Sequence, residues 1–411
     1  MTRHQVRTAA AAWAAAWILT AALIAAVRYE SRDPDSQLYA GISARLATEP
    51  AVQWIAPQWW GFWNSEGPYC EHPVGMFVVP AALARLGYPP LQAAYAVNAL
   101  YQILSFALAT WIAAAVATRS EATAIGSILQ LLPIAFVFRI RANQEYAVLA
   151  GLLFALYSTE RARTSAVWSL GMLAGFSAVL LVKGVFAIMV PIVCVLWLVS
   201  RIPAAAPRFE SRIAWAAIAA MPVAAVVIAW GYESAYVAVT GRSFLEIYQT
   251  RQLPEAAIAG ESPAIRTIYT ATWYLTRVIW YAFPWSLFAA GFAAMSLREG
   301  AWLPWSSASV PPARDNDAES GRRAAWFAFV AAVLLTAAFS LAHRKADRYI
   351  FPVYFLIAAA GAGPSLRRFP RLARLASRVD RPWLPAALYV GLVILTIASY
   401  GKLPRFTFWR T

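Results

Sequence analysis

Acidic residues that could act as proton acceptors lie together in one polar stretch near the start of the chain. Residues 28–73 carry Asp33, Asp35, Glu71 and His72, with hydrophobic sequence before and after them. Charged side chains are costly in hydrocarbon, so this stretch lies in water or at a membrane interface. A carboxylate held there could accept the proton of an attacking hydroxyl group. Asp35, Glu71 and, further along the chain, Glu145 are therefore the catalytic candidates.

The same residues have simpler explanations. Pro34 favours an extended backbone just before the amphipathic run 36–46, and Asp35 or Ser36 could merely cap a helix that starts there. Asp35, Glu71 and His72 together could also bind a divalent metal ion, although their spacing does not demand it. No other cofactor is predicted.

Basic residues near the ends of later hydrophobic runs indicate phosphate binding. Guanidinium groups bind phosphate oxygens bidentately, and a lysine supplies a point charge. Cations placed in advance stabilise a phosphate that gains charge as it leaves. The alternative is anchoring at lipid headgroups. The candidates for donor phosphate binding are Arg139, Arg141, Lys183, His343, Lys345, Arg348 and Tyr349.

The composition indicates how these residues are positioned. Hydrophobic residues make up 61% of the chain and charged residues 13%, against about a quarter in soluble domains. The net charge of +15 is dispersed between apolar runs, which argues against a nucleic-acid partner and fits cytoplasmic loops of a membrane protein. We expect an all-α polytopic membrane protein in contact with membrane lipids.

About eleven transmembrane helices are predicted from apolar runs of sufficient length. The first is interpreted as a retained helix and not as a cleaved signal peptide. The crossings are expected near 9–27, 91–117, 121–138, 145–159, 165–182, 184–200, 212–231, 271–297, 324–341, 349–363 and 384–400.

The run 73–86 decides the orientation of every later loop. If it dips into the membrane without crossing, more Lys and Arg residues fall in cytoplasmic loops than if it crosses, as the positive-inside rule requires. A dipping helix also brings the polar ends of the candidate spans to one outer face. Juxtamembrane helices are expected on that periplasmic face.

The predicted organisation has no separate soluble domain. Residues 1–297 form a catalytic transmembrane module whose first periplasmic loop is 28–72. The Pro-rich and polar segment 298–323 is interpreted as a cytoplasmic linker, and 324–411 as C-terminal transmembrane helices. The segment from 233 to 270 is expected to be a loop on the active face.

An ordered series of motifs resembles the GT-C class of membrane glycosyltransferases. The nearest branch contains the protein O-mannosyltransferases and the lipid A aminoarabinose transferase, a family 39-like group. Ser36 departs from the family's second acid, and His72 replaces a lysine. The motifs are Asp35-Ser36-Gln37-Leu38-Tyr39, Glu71-His72-Pro73, Asn143-Gln144-Glu145-Tyr146, Lys183-Gly184, Phe283-Pro284-Trp285 and Lys345-Ala346-Asp347-Arg348-Tyr349.

The resemblance implies a GT-C fold and an inverting transfer with Asp35 as the base. The donor would be a sugar on a polyprenyl (undecaprenyl-type) phosphate. The acceptor would be a hydroxyl of a lipid, glycan or protein at the periplasmic face of a bacterial inner membrane. Residues expected to contact the acceptor or complete the site are Asp33, Tyr39, His72, Tyr248 and Arg251.

A transporter or flippase for an anionic polyprenyl-linked lipid is the alternative function. Transporters place ionisable groups near the bilayer midplane and often contain inverted repeats. In this chain the charges gather at the ends of apolar runs and no repeat is evident, which favours the transferase.

Overall fold

The structure is a computed structural model that describes residues 3–59, 67–201, 209–256, 263–298, 316–341, 345–378 and 380–399. Side chains of residues 3, 209–211, 251–256, 263–271 and 316–319 lie outside the description. The described chain is helical and contains no β-strand, apart from an isolated bridge between Gln58 and Pro68. The predicted all-α fold is confirmed.

Seventeen α-helices make up the described chain. They are α1 Arg3–Ala26, α2 Pro34–Leu46, α3 Gly75–Arg85, α4 Pro90–Ala114, α5 Arg119–Gln130, α6 Pro133–Val137, α7 Glu145–Ala162, α8 Trp168–Lys183, α9 Met189–Ser200, α10 Phe209–Thr240, α11 Phe244–Ala256, α12 Pro263–Tyr281, α13 Trp285–Arg298, α14 Asn316–Ser340, α15 Phe351–Arg368, α16 Pro370–Arg378 and α17 Leu384–Ser399. Short 3₁₀ helices occupy Ala51–Ile55, Gly184–Ile188 and Asp347–Ile350.

Six stretches of the described chain are long and apolar enough to cross a membrane, or seven if one bent pair is a single span. They are His4–Ala26, Pro90–Ala114, Trp168–Ser200, Arg212–Thr240, Ser320–Ser340 and Asp347–Arg368. The multi-pass membrane fold is therefore supported, and the number of eleven crossings stays a prediction.

The apolar segment α8–α9 is a helical hairpin and not one long helix. Lys183 at the end of α8 contacts Glu145, the first residue of α7. Arg201, just after α9, contacts Glu160 near the other end of α7, about 22 Å away at 1.5 Å per residue. The chain must therefore reverse between α8 and α9. It does so at Gly184, whose φ of 57° favours glycine.

Helix α3 is too short to span a membrane by itself. Its 11 residues extend about 16 Å, whereas the hydrocarbon core is about 30 Å thick. After α3, the Tyr88 hydroxyl donates to the Ala21 carbonyl near the C-terminal end of α1. Gln92 at the start of α4 contacts Glu30, just after α1. The chain thus returns to the end of α1 from which it left, and the dipping of this helix into a membrane stays a prediction.

The run 271–297, predicted as one crossing, is a bent pair of helices, and its crossing as one span stays a prediction. Its two halves, α12 and α13, meet at an angle of 110° around Phe283 and Pro284. A proline lacks the N–H that would continue a helix. Helix α13 packs against α15, where Gly361 permits close approach of the Trp285 carbonyl.

The segment 233–270, expected to be a loop, is mostly helical where it is described. Helix α10 continues to Thr240, and α11 begins at Phe244 after a short turn.

Helix α14 begins at Asn316, inside the predicted linker 298–323, whose residues 299–315 lie outside the described chain. The domain boundaries remain a prediction.

Close packing of α7 against α8 sets the geometry of the candidate site. A Cβ atom on Gly175 would lie 2.7 Å from the Gly151 carbonyl oxygen, so the two backbones approach without side chains between them. Small residues commonly permit such approach between membrane helices. This contact aligns the start of α7 with the end of α8, where Glu145 and Lys183 meet.

Candidate active site

The start of α2 presents Asp35 because another residue caps the helix. Asp33 is the N-cap, and its carboxylate accepts hydrogen bonds from the Ser36 amide at 3.1 Å and the Ser36 hydroxyl at 2.7 Å. Pro34 occupies the first turn, where it loses no helical hydrogen bond. The idea that Asp35 or Ser36 is the cap is therefore wrong. Asp35 is left in the first turn with 36% of its side chain exposed.

The loop before α7 is fastened to α2. Arg141 forms an ion pair with Asp33 at 3.1 Å, and the Ala142 amide donates to the Ser36 hydroxyl at 3.2 Å. The Gln144 side chain donates to the Tyr39 hydroxyl at 3.4 Å. Residues more than a hundred positions apart are thereby held beside one another, and Asp33 supports both the helix cap and this loop.

Glu145 and Lys183 form the buried ion pair of the site. Their atoms lie 3.0 Å apart, and the side chains are only 2% and 3% exposed. Glu145 sits in the first turn of α7, where the helix dipole favours a negative charge. The Lys183 ammonium also lies 4.6 Å from the centre of the Phe186 ring and 5.8 Å from that of Tyr349.

Arg348 reaches the site from a 3₁₀ turn just before α15. It forms an ion pair with Asp35, and the two side chains are about one third exposed. Its neighbour Asp347 accepts hydrogen bonds from Arg277 at 3.2 Å and from the Tyr281 hydroxyl at 2.7 Å. These contacts from α12 fix the turn that carries Arg348.

Tyr39 lies at the centre of the charged groups. It is within electrostatic range of Arg348, Asp35, Glu145 and Glu71. Burial raises the pKa of the Tyr39 phenol far above its usual range, so the hydroxyl stays protonated and can act as a hydrogen-bond donor but not as a base. The predicted residues from four distant segments thus do meet at one end of the bundle.

Each central cation is paired with a carboxylate. Arg141 pairs with Asp33, Lys183 with Glu145, and Arg348 with Asp35. A guanidinium group carries five N–H donors and an ammonium group three, so a contact with one carboxylate leaves donor capacity for a second anion. An anionic ligand would therefore share these cations with the carboxylates.

Comparison with known proteins identifies the fold. No protein-family profile and no curated protein sequence matches the chain. Among solved structures, it is similar to ArnT from Cupriavidus metallidurans bound to undecaprenyl phosphate, with a TM-score of 0.63 and 16% identity over 97% of this chain and 78% of ArnT. Apo ArnT gives a TM-score of 0.63 and 17% identity over 95% and 77% of the two chains. ArnT is the lipid A aminoarabinose transferase.

The chain has the GT-C fold. The resemblance inferred from the ordered motifs is confirmed at the level of fold. At this sequence identity the similarity says nothing about individual residues, whose roles depend on the chemistry of the site.

Within the GT-C fold, Arg139 lies away from the other predicted phosphate-binding residues. It is 3% exposed and donates to the Gln130 carbonyl at 2.6 Å, inside the bundle near Tyr146 and Tyr389. The backbone turns at Ile140, where φ is 53°. Arg139 and Arg141 consequently point to different surroundings. We therefore remove Arg139 from the candidate site.

Lys345 and Tyr248 border the site. The Lys345 ammonium donates to the carbonyl of Ser340 at 2.7 Å, at the end of α14. The Tyr248 hydroxyl bonds to the Val185 backbone at the tip of the α8–α9 hairpin, and burial raises the pKa of this phenol. His343 and the side chain of Arg251 lie outside the described residues.

Asp35, Glu71 and His72, considered as possible metal ligands, are not arranged around a common point. In the described part of the chain, no group of three His, Cys, Asp or Glu side chains is arranged to hold a metal ion. Asp35 is instead engaged by Arg348, while His72 lies beside the Tyr69 ring at 6.4 Å between centroids. Asp35, Glu71 and His72 are thus not a metal centre in this GT-C site.

The support that α12 gives to Arg348 was not predicted from the sequence. Arg277, Tyr281 and Asp347 form this hydrogen-bonded group, and the Arg277 guanidinium also lies 3.7 Å from the centre of the Trp273 ring. A signal was present, because Arg277 is a single charge within the apolar run 271–297. Such charges mark polar contacts inside membrane proteins.

Proposed function

We propose that the chain is an integral-membrane glycosyltransferase that transfers a sugar from a polyprenyl phosphate donor to a hydroxyl acceptor. The observation that carries the proposal is the meeting of the Asp35–Arg348 and Glu145–Lys183 pairs at one end of a GT-C bundle. The similarity to ArnT, solved with undecaprenyl phosphate bound, supports a polyprenyl phosphate partner.

The reaction requires a proton acceptor and a stabilised leaving group. The acceptor oxygen attacks the anomeric carbon from the side opposite the phosphate and forms the new C–O bond. The bond from that carbon to the phosphate oxygen breaks, and the polyprenyl phosphate leaves with the electron pair. The hydroxyl proton passes to Asp35, and the anomeric configuration is inverted.

Donor binding would prepare Asp35 for this role. In the described state Arg348 holds the Asp35 carboxylate in an ion pair. When the donor phosphate takes up part of the Arg348 guanidinium, the Asp35 carboxylate is released to accept a hydrogen bond from the acceptor hydroxyl. The proton acceptor would thus become available once the donor is in place.

Lys183 and Arg141 would supply the remaining positive charge. Lys183 is held in place by Glu145, and Arg141 by Asp33. Charged groups fixed before the reaction stabilise the departing phosphate without reorganising during it. Tyr39 would donate a hydrogen bond to the acceptor or to the sugar. In this proposal the site faces the periplasm from the inner membrane of a bacterium.

A donor assay with purified protein tests the proposal. The protein would be incubated with polyprenyl-phosphate sugars and a hydroxyl acceptor, and free polyprenyl phosphate would be measured by mass spectrometry. The wild type should release it, and Asp35→Asn should lower the rate by about 10²–10⁴-fold because the proton acceptor is lost.

Glu30→Gln is the matched control for that assay, because Glu30 is an exposed acid in the same polar stretch. It should keep the wild-type rate. Equal rates for Asp35→Asn and wild type would remove Asp35 as the base. Movement of intact donor across a vesicle membrane, with no phosphate released, would favour a transporter.

A further inference from the structure

An apolar cavity in the bundle lies apart from the candidate active site. Its empty space, which includes space open to the surroundings, amounts to about 940 Å³ between helices α4, α5, α7, α9, α14 and α15. None of Asp35, Glu145, Lys183 or Arg348 lines it. Protein interiors are normally close-packed, so this gap among six helices offers room for an occupant.

The cavity is long and apolar. Along α15 it extends from Pro352 to Arg367, about 22 Å at the helical rise per residue. Its walls are chiefly Ala, Leu, Val, Ile and Phe side chains, and small residues such as Ala328 and Gly363 leave its width open. This length exceeds half of the hydrocarbon core, which is about 30 Å thick. The shape and chemistry suit a single alkyl chain.

Aromatic side chains close the end of the cavity beneath the candidate active site. Tyr146 packs against Phe351 with ring centroids 4.9 Å apart, and against Phe106 at 6.0 Å. Tyr146 is the residue that follows Glu145 of the site. A lipid with its phosphate at Arg348 is thus separated from the cavity by this aromatic layer. The occupant must enter from the other end.

Positive charge surrounds that other end. Arg367 lines the cavity there, is 26% exposed, packs on Gly321 and contacts Glu121 at 3.6 Å. Arg201 bonds to the neighbouring Ser320.

The described carboxylates at this end are shared among the guanidinium groups. Among the described side chains, Glu121 contacts Arg367, and Glu160 contacts both Arg163 and Arg201. Guanidinium groups bind phosphate oxygens readily.

We propose that the cavity binds one acyl chain of an anionic phospholipid from the leaflet opposite the candidate active site. The lipid phosphate lies between Arg367 and Arg201, and the acyl chain fills the gap between α14–α15 and the rest of the bundle. Because α15 begins three residues after Arg348, the bound chain also supports the helix that carries this side chain. This inference does not depend on the proposed transferase activity.

Native mass spectrometry of the full chain tests occupancy. The protein would be extracted into detergent and mixed with phosphatidylglycerol. One bound phosphatidylglycerol is expected on the wild type. Gly363→Leu should lower its occupancy at least about tenfold, because a new Cβ there has room and the side chain enters the cavity. Gly391→Leu, on an exposed face of α17 with nothing within 4 Å, should retain it.

Two outcomes of this measurement would overturn the proposal. One is equal phosphatidylglycerol occupancy in wild type and Gly363→Leu. The other is recovery of polyprenyl phosphate in place of phospholipid, with that polyprenyl phosphate lost in Gly363→Leu, because the occupant would then be a different lipid. If Gly363→Leu does not fold, Ala359→Leu fills the same cavity from the same helix.

Headgroup preference tests the role of Arg367. The thermal midpoint would be measured with phosphatidylglycerol and with phosphatidylcholine of identical chains. The thermal midpoint of the wild type should rise more with the anionic lipid than with phosphatidylcholine, because a ligand that binds only the folded state raises the stability of that state. Arg367→Gln should respond equally to both lipids, and Arg371→Gln, an exposed arginine on α16, should keep the preference. An unchanged preference in Arg367→Gln would contradict the proposed phosphate position.

Discussion

The two ends of the bundle both contain ion pairs, but the pairs are organised differently. At the end with the candidate active site, Asp35–Arg348 and Glu145–Lys183 come from four separate segments and surround Tyr39. At the opposite end, Glu160 accepts from Arg163, Arg201 and the Trp197 indole. Those contacts bind the ends of α7 and α9 to each other.

The difference shows that an ion pair alone does not mark a functional site. The contacts of Glu160 fasten the end of α7 to the end of α9 and leave its carboxylate fully engaged. The pairs at the other end lie close enough for Lys183 to be influenced by Arg348 and Asp35 as well as by Glu145. Convergence of several charges on one point is therefore the informative feature. Mutations at the two ends should separate activity from stability.

The largest effect is expected from breaking the buried Lys183–Glu145 pair. Lys183→Ala leaves Glu145 charged and buried without its partner, which should lower the free energy of unfolding by about 3–5 kcal/mol and abolish transfer. Thermal unfolding in detergent and donor turnover would measure the two effects. The double variant Lys183→Met with Glu145→Gln should recover folding but not transfer. Full activity in the folded double variant would remove this pair from the site.

Arg348→Gln should mainly affect activity. The Arg348 and Asp35 side chains are about one third exposed, so loss of the pair should change the free energy of unfolding by less than about 1 kcal/mol. Loss of a phosphate contact in the transition state should lower turnover by about 10²–10³-fold. Arg348→Lys should recover part of the lost turnover, because a lysine supplies a point charge at the same position. A large loss of stability with normal turnover per folded molecule would assign Arg348 a structural role.

Glu160→Gln, at the opposite end, should show the reverse pattern. The carboxylate has three charge-assisted or indole donors, so its neutralisation should lower the free energy of unfolding by about 1–3 kcal/mol. Turnover per folded molecule should stay at the wild-type value. A specific loss of turnover in this variant would show that the two ends are functionally coupled.

The charged residues of the site could be predicted from the sequence, whereas most of their surroundings could not. Asp35, Glu145, Lys183 and Arg348 were identifiable because isolated charges beside apolar runs are costly and hence informative. Their pairing could not be predicted, since it depends on contacts across more than three hundred positions in the case of Asp35 and Arg348. The order of the motifs along the chain indicated the GT-C fold, which no single motif could indicate.

The errors arose where the backbone changes direction. Arg139 and Arg141 are two positions apart, but the turn at Ile140 sends only Arg141 to Asp33. The break around Pro284 separates α12 from α13, so the apolar run 271–297 is not one helix. In each case composition was interpreted correctly and local geometry was not. A hydrophobicity pattern contains no measure of such bends.

Accessibility labelling tests most directly whether the distant polar segments share one membrane face. Single cysteines would be placed at exposed positions and treated with a membrane-impermeant maleimide on intact cells; Cys70 and Cys194 are both buried. Glu30→Cys, Val185→Cys and Arg242→Cys should label from one side, and Thr164→Cys and Arg371→Cys only from the other. Labelling of Val185→Cys or Arg242→Cys from the side of Thr164→Cys would contradict the shared site.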